Sequence, residues 1–261
     1  MTAIVVLACG GTLPSAPALV DPREILAAAA TQAASATSVH IDLAADGALA
    51  IDLTGTGSAS TPIKLTDTTA AIDADLARGA TRATFSAPGL LGVRGEAIVV
   101  DGVSYLKTSL TGPLYRAQPA SGAPDASPGV PEPSGRASAG ILEGVIAFLK
   151  EPGVEPTKNA DAPCGGTTCY SVTLKIGAEQ LGRLLGGATL PSSVPVPIPD
   201  ISSATAELTF LVDRQTTRLS GLTAFADLGD SGEITADLTL SKWDVPVTIA
   251  APPADQVQPT S

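Results

Sequence analysis

The clearest periodicity in the chain lies in residues 204–249. Over 205–213, Ala206, Leu208, Phe210 and Val212 alternate with Thr205, Glu207, Thr209, Leu211 and Asp213. Over 233–241, Ile234, Ala236, Leu238 and Leu240 alternate with Glu233, Thr235, Asp237, Thr239 and Ser241. Successive side chains of a strand point to opposite faces, so each run predicts a strand with one apolar and one mostly hydrophilic face. Leu228-Gly229-Asp230-Ser231-Gly232 carries the glycines of a tight connection. A sheet this one-sided must have its apolar face covered.

The same period recurs upstream. Strands are predicted at 38–44, 48–54, 62–67, 69–76 and 80–86, then at 95–100 and 103–108 around Asp101-Gly102, the strongest short hairpin signal in the chain. A further pair is predicted at 154–160 and 169–176, and a last strand at 241–250, placed at an edge by Pro246. Helical patterns are fewer. Asp21 as N-cap, Pro22 in the first turn and Glu24 predict a helix to about residue 36, with Ile25, Leu26, Ala29, Ala30 and Ala33 as a narrow, flat stripe. Ser138 caps a second helix at 139–150, with Ile141, Leu142, Val145, Phe148 and Leu149 on one side. A short third helix is predicted at 178–185, with Leu181, Leu184 and Leu185. Residues 117–136, rich in Pro, Gly, Ala and Ser, read as a mobile loop. Residues 190–202 read as a Pro-interrupted apolar segment at the rim of an apolar space or wrapped on the core. The end of the chain, from Pro252, reads as a frayed tail. Short strands at regular spacing point to an antiparallel meander and not to βαβ units.

Composition sharpens this picture. Hydrophobic residues make up 44% of the chain but aromatic ones only 3%, and much of the apolar content is alanine. Side chains this small leave a wide sheet short of filling volume, although a genome rich in G and C gives the same bias. The net charge of −11 argues against a nucleic-acid partner, whose phosphates attract basic surfaces. Acidic residues such as Asp42, Asp73, Asp75, Glu207 and Asp237 fall on outward strand positions, as a solvated skin. Cys164 and Cys169, with four residues between them, suit a disulfide closing a small loop in an oxidising compartment; a metal site would need further ligands, and no other His or Cys lies nearby. Cys9 stands alone after the apolar tract Met-Thr-Ala-Ile-Val-Val-Leu-Ala, which is too short to span a bilayer. Val6-Leu7-Ala8-Cys9 resembles a bacterial lipobox, whose cysteine is acylated after the signal is cut. The missing basic region ahead of it predicts a truncated signal at 1–8, with a tether at 9–20.

Three further stretches carry a family resemblance. Ala34-Ser35-Ala36-Thr37-Ser38-Val39-His40 is similar to a passage from first helix to first strand. Asp101-Gly102-Val103-Ser104-Tyr105-Leu106 is similar to an Asp-Gly-x-x-Tyr hairpin. Leu238-Thr239-Leu240-Ser241-Lys242-Trp243 is similar to a closing strand ahead of a Pro-containing end, here Pro252-Pro253. With the Cys9 lipobox, these resemble the LppX/LprA/LprF/LprG family of actinobacterial lipoproteins, over about residues 21–253. The resemblance implies an α+β fold: a strongly curved antiparallel β-sheet, or half-barrel, with about three helices packed on its concave face around an apolar cavity. It also implies a single domain at 21–253, an anchor at Cys9 (signal, palmitate), and a place on the outer side of the cytoplasmic membrane. The implied partners are an acylated lipid or glycolipid, the membrane through the lipid anchor, and a membrane transporter. The sequence departs from the family in the loop at 117–136, the Cys164/Cys169 pair and the truncated signal.

Catalytic chemistry finds little footing. His40 is the single histidine, it sits on the hydrophilic side of its strand, and no Gly-x-Ser-x-Gly elbow occurs. No phosphate-loop pattern or metal-ligand spacing occurs, and no cofactor is expected. Trp243 reads as a core or rim anchor. The expected non-enzymatic site is an apolar cavity lined by Val172, Leu174, Leu208, Phe210, Ile234, Leu238, Leu142 and Val145. Two readings follow: a lipoprotein that binds and carries lipids, or a surface-tethered structural or interaction module with the same fold and a filled core.

Overall fold

The computed structural model of the chain describes residues 18–51, 61–119, 153–181 and 203–258. The predicted helix at 139–150, the segment at 190–202 and the lipobox at Cys9 lie outside them.

One helix, α1 (Pro22–Ser35), opens the described chain. Its first turn forms as its sequence dictates. Asp21 stays extended and its Oδ1 accepts the Arg23 N–H at 2.7 Å, while Pro22 occupies a position where no N–H is needed. The helix ends where Ala36 turns extended, and the chain enters the sheet directly.

The strands are β1 (Ser38–Ile51), β2 (Thr61–Lys64), β3 (Thr68–Asp75), β4 (Ala80–Ala87), β5 (Val93–Val100), β6 (Val103–Thr108), β7 (Arg116–Pro119), β8 (Thr157–Lys158), β9 (Ala162–Cys164), β10 (Thr167–Ile176), β11 (Thr205–Asp213), β12 (Leu219–Asp227) and β13 (Gly232–Ser241). Among the described residues they form one antiparallel sheet in the order β7-β6-β5-β4-β3-β1-β13-β12-β11-β10-β8, with β2 beside β1 and β9 beside β10. Along this path the neighbours follow one another in the chain, as the predicted meander requires, with β2 between β1 and β3, β9 between β8 and β10, and a long connection, residues 177–204, between β10 and β11. The exception is the pair β1–β13, where the first strand of the sheet meets the last. That pairing joins the two meanders into one surface.

Several boundaries differ from expectation. The strands predicted at 38–44 and 48–54 are one strand at least as far as Ile51. Gly47, at φ +136°, lets β1 run on past the Glu233 backbone, where a Cβ would collide. Strand β12 escapes the pattern because its inward residues are the slight Ala224 and Ala226, while Phe225 points outward, 40% exposed. Strand β7 takes in the first three residues of the predicted loop, 117–119. The strand predicted at 241–250 ends at Ser241. Lys242 and Asp244 adopt left-handed φ of 49° and 59°, and the Asp244 carboxylate accepts the Thr37 N–H at 2.7 Å and pairs with Arg218. Trp243 donates from Nε1 to the Leu219 carbonyl at 3.1 Å, the anchoring role expected of it.

The expected frayed end is instead a strap. Residues Val247, Ile249 and Val257 pack on Ala80, Ile98, Val100, Tyr105 and Tyr115, and Gln258 N–H bonds the Tyr115 carbonyl at 2.8 Å. An apolar patch of β4 to β6 is covered in this way.

The disulfide between Cys164 and Cys169 is present, with Cα atoms 5.9 Å apart, across the Gly165-Gly166 turn of the β9–β10 hairpin. Beside it, Asp213 accepts hydrogen bonds from Thr167 Oγ1 at 2.7 Å, Gln215 N–H at 2.9 Å, and Thr216 N–H and Oγ1 at 2.8 and 2.9 Å. Burial works against the charged form of Asp213, yet these bonds outweigh it and hold the carboxyl below the ordinary aspartate range. A lowered folded-state value gives stability that is present above the unfolded-state value, about 3.9, and is lost as pH falls through the folded one. Asp213→Ala is therefore expected to cost about 2 kcal/mol in urea unfolding at pH 7 and less at a pH below its lowered folded-state value, where the wild type has lost the same charge. Equal costs at both pH values would count against the charge-assisted account.

Candidate functional site: the apolar face of the sheet

Cross-strand partners share a face, so the register assigns every strand residue to one side. The helix side carries α1. Ile25, Leu26 and Ala29 of α1 sit on Tyr170, Val172, Leu174, Ile176, Ala206 and Val212, and Leu208, Phe210, Leu181 and Leu219 border the cluster. Val172 is 0% and Leu174 2% exposed. Tyr170 also accepts the Leu19 N–H on its hydroxyl, and Arg23 donates to the Val154 carbonyl, which pin α1 over β10 to β12.

From there the helix side continues across the sheet as parallel rungs. One rung is Leu174, Leu208, Ala224, Ala236 and Ala45. The next is Val172, Phe210, Leu222, Leu238, Leu43, Ala70 and Phe85, and Gly95 beyond leaves room for the Phe85 ring. A third is Leu240, Ile41, Ile72, Ala83, Ala97 and Leu106. Beyond the α1 cluster the residues of these rungs are half-buried. By side-chain size alone, a rung of alanines beside a rung of leucines and phenylalanines is a step down, a shallow trough across the strands.

The eight expected lining residues thus separate. Val172 and Leu174 are the floor beneath α1. Leu208 and Phe210 stand at the margin of that packed cluster. Ile234 and Leu238 belong to the same face on β13, with Ile234 opposite Ala226 and Leu238 between Leu222 and Leu43. Leu142 and Val145 lie outside the described residues. Of the alanines at 45, 224 and 236, only Ala236 stands out in the alternating pattern, and none is among the expected lining residues. Their parity marks them as inward, but only the register lines them up.

Charge is segregated by face. Every Asp and Glu within the described strands, Asp42, Asp73, Glu96, Glu207 and Asp237 among them, lies on the far side. Glu96 there takes hydrogen bonds from Tyr115 Oη at 2.7 Å and Arg82 Nε at 2.7 Å, with Lys107 Nζ 3.5 Å away. Burial opposes its ionisation, but Tyr115, Arg82 and Lys107 together hold the carboxyl below its usual range. His40 is also on the far side, with Nδ1 2.6 Å from Asp73 Oδ1 and Nε2 3.4 Å from Asp42 Oδ1. It is a hydrogen-bonded surface residue, remote from the apolar face. The sulfur atoms of Cys164 and Cys169 and the Asp213 carboxylate lie within 4.8 Å of one another, but the sulfurs are joined in the disulfide and the carboxylate is fully bonded within the protein. That grouping is a structural knot. Among the described residues no helix is long and apolar enough to cross a membrane.

A large one-sided antiparallel sheet with its leading helix on the apolar face is a fold met in solved lipoproteins. The chain is similar to LprF from Mycobacterium bovis, at 18% identity over 88% of this chain and 96% of that one, with a TM-score of 0.51. It is also similar to the Mycobacterium tuberculosis lipoprotein LppX, at 16% identity over 87% and 97% of the two chains, with a TM-score of 0.49. LprF and LppX are lipoproteins of the family that the sequence resembles, and the likeness to LprF gives this chain its fold. No protein-family model and no curated protein matches the sequence.

Proposed function

We propose that this protein is a lipid-anchored envelope lipoprotein that holds the acyl chains of lipids or glycolipids against the helix side of its sheet and carries them across the cell envelope. The carrying observation is the segregation of the two faces. In a chain of net charge −11, the described strands put no carboxylate on a surface of leucine, isoleucine and alanine rungs that spans the sheet. Acyl surface leaving water for such a face gains about 25 cal/mol per Å² without specific polar contacts. The mechanism is reversible capture, in which tails enter, are shielded and are released, so no catalytic group is needed. The interlocked residues under α1 favour the second reading, a filled core, at that end of the sheet; the proposed seat is therefore the trough from β12 toward β6. Leu142 and Val145 are proposed to border the same space.

Solvent extraction of the purified protein followed by mass spectrometry is expected to return acylated lipid in roughly stoichiometric amount, and the loaded protein is expected to pass it from donor to acceptor vesicles. Protein that carries none and takes none up would leave only the structural module. The anchor is proposed at Cys9, exposing the domain on the outer side of the cytoplasmic membrane. Labelled palmitate is expected in the protein expressed in an actinobacterial host and absent in Cys9→Ser; labelling that survives would remove the anchor.

A further inference from the structure

We infer that the lipid carries an anionic head, seated at Arg116, with one tail along the rung from Leu240 to Leu106. This inference rests on the lipid-holding reading and adds the charge and position of the head.

The helix side of the described strands holds two cations, one at each edge of the sheet. Lys158, opposite Val172, is already committed: Nζ lies 3.0 Å from Asp161 Oδ1 and 5.6 Å from the Tyr170 ring centre. Arg116 differs. It pairs with Leu106 in register, so it extends the third rung by one step, and it is exposed, with no ion pair among the described residues. Arg82, Arg214 and Arg218 each face a carboxylate. Gln118, two residues along on the same side, stands opposite Ser104 and makes the surroundings of Arg116 polar.

The geometry suits an amphiphile. Leu240 to Leu106 crosses six strands, about 24 Å at about 4.8 Å per step, which matches an extended long-chain acyl group. The guanidinium lies one step beyond the end of that path. A planar fork of donors takes a carboxylate or phosphate through paired hydrogen bonds, and a cationic head would find no carboxylate from the described strands on this side. On the far side an anion would meet Asp42, Asp73 and Glu96 instead.

The test uses the full chain and displacement of a fluorescent fatty acid by four competitors: palmitate, its methyl ester, lysophosphatidylglycerol and monoacylglycerol. The wild type is expected to prefer each anionic competitor over its neutral counterpart by about tenfold. Arg116→Gln is expected to erase that preference and leave the neutral competitors unchanged, while Arg116→Lys restores part of it. The anion showing the larger Arg116 effect identifies the head as carboxylate or phosphate. Equal binding of charged and neutral lipids by the wild type, or an equal loss of both in Arg116→Gln, would overturn the inference while leaving the lipid-holding reading in place. Failure of every competitor to bind would overturn both.

Discussion

Leu174→Ala is expected to destabilise the protein by about 3 kcal/mol, more than a comparable truncation elsewhere on the described sheet. The side chain is 2% exposed and belongs to the cluster in which Ile25, Leu26 and Ala29 of α1 meet β10 and β11. The helix carries little stability of its own: at 14 residues it is marginal without packing, and its alanines bury little apolar surface. Removing the leucine therefore leaves a cavity under the surface that holds α1 in place, and the backbone of β10 is too firmly paired to collapse into it. Urea unfolding with the m-value monitored would measure the loss. Leu222→Ala, on the half-buried part of the same face, is expected to cost about 1 kcal/mol. Equal losses at the two positions would mean that the α1 end is no better packed than the trough.

Ala236→Trp is expected to weaken acyl-lipid binding by about sixtyfold while leaving the fold intact. Ala236 sits between Ala224 and Ala45 in the rung of small residues, so an indole placed there occupies the trough itself. Denying an acyl chain about 100 Å² of contact costs about 2.5 kcal/mol at 25 cal/mol per Å², which is roughly sixtyfold in affinity. The control is Thr223→Trp, at an exposed far-side position hydrogen-bonded to Asp237, which is expected to bind as the wild type does. Titration with a fluorescent fatty acid would compare the three proteins. Binding in Ala236→Trp that equals that of the control would place the lipid away from this trough.

The two results bear on different parts of one surface, and together they separate a solid floor from an open seat. The packed end explains why Val172 and Leu174, conspicuous as apolar strand residues, are structural. The half-buried middle is the reason the proposed lipid seat is placed on alanines that attract little notice in the sequence.

Much of this surface was readable before any coordinates. Asp21 and Pro22 set the start of α1, Asp101-Gly102 set the β5–β6 hairpin with φ of 52° and 73°, and Cys164 and Cys169 set the short covalent loop. The alternation in β11 and β13 fixed which side chains share a face, because the two-residue period of a strand is a property of the local backbone. Local pattern failed where inward residues were small, as in β12, and where a glycine let a strand pass through an apparent break, as at Gly47. It failed again at the end of the chain, where Val247, Ile249 and Val257 look like scattered residues until they meet Ile98 and Tyr115. What only the tertiary structure decided was adjacency. The pairing of β1 with β13, the alignment of Ala45, Ala224 and Ala236 into one rung, and the arrival of Arg116 at the end of another all depend on register between strands far apart in the chain. Parity is written in each strand separately, whereas register is set by which strands meet and at what offset, and no single stretch of sequence carries that.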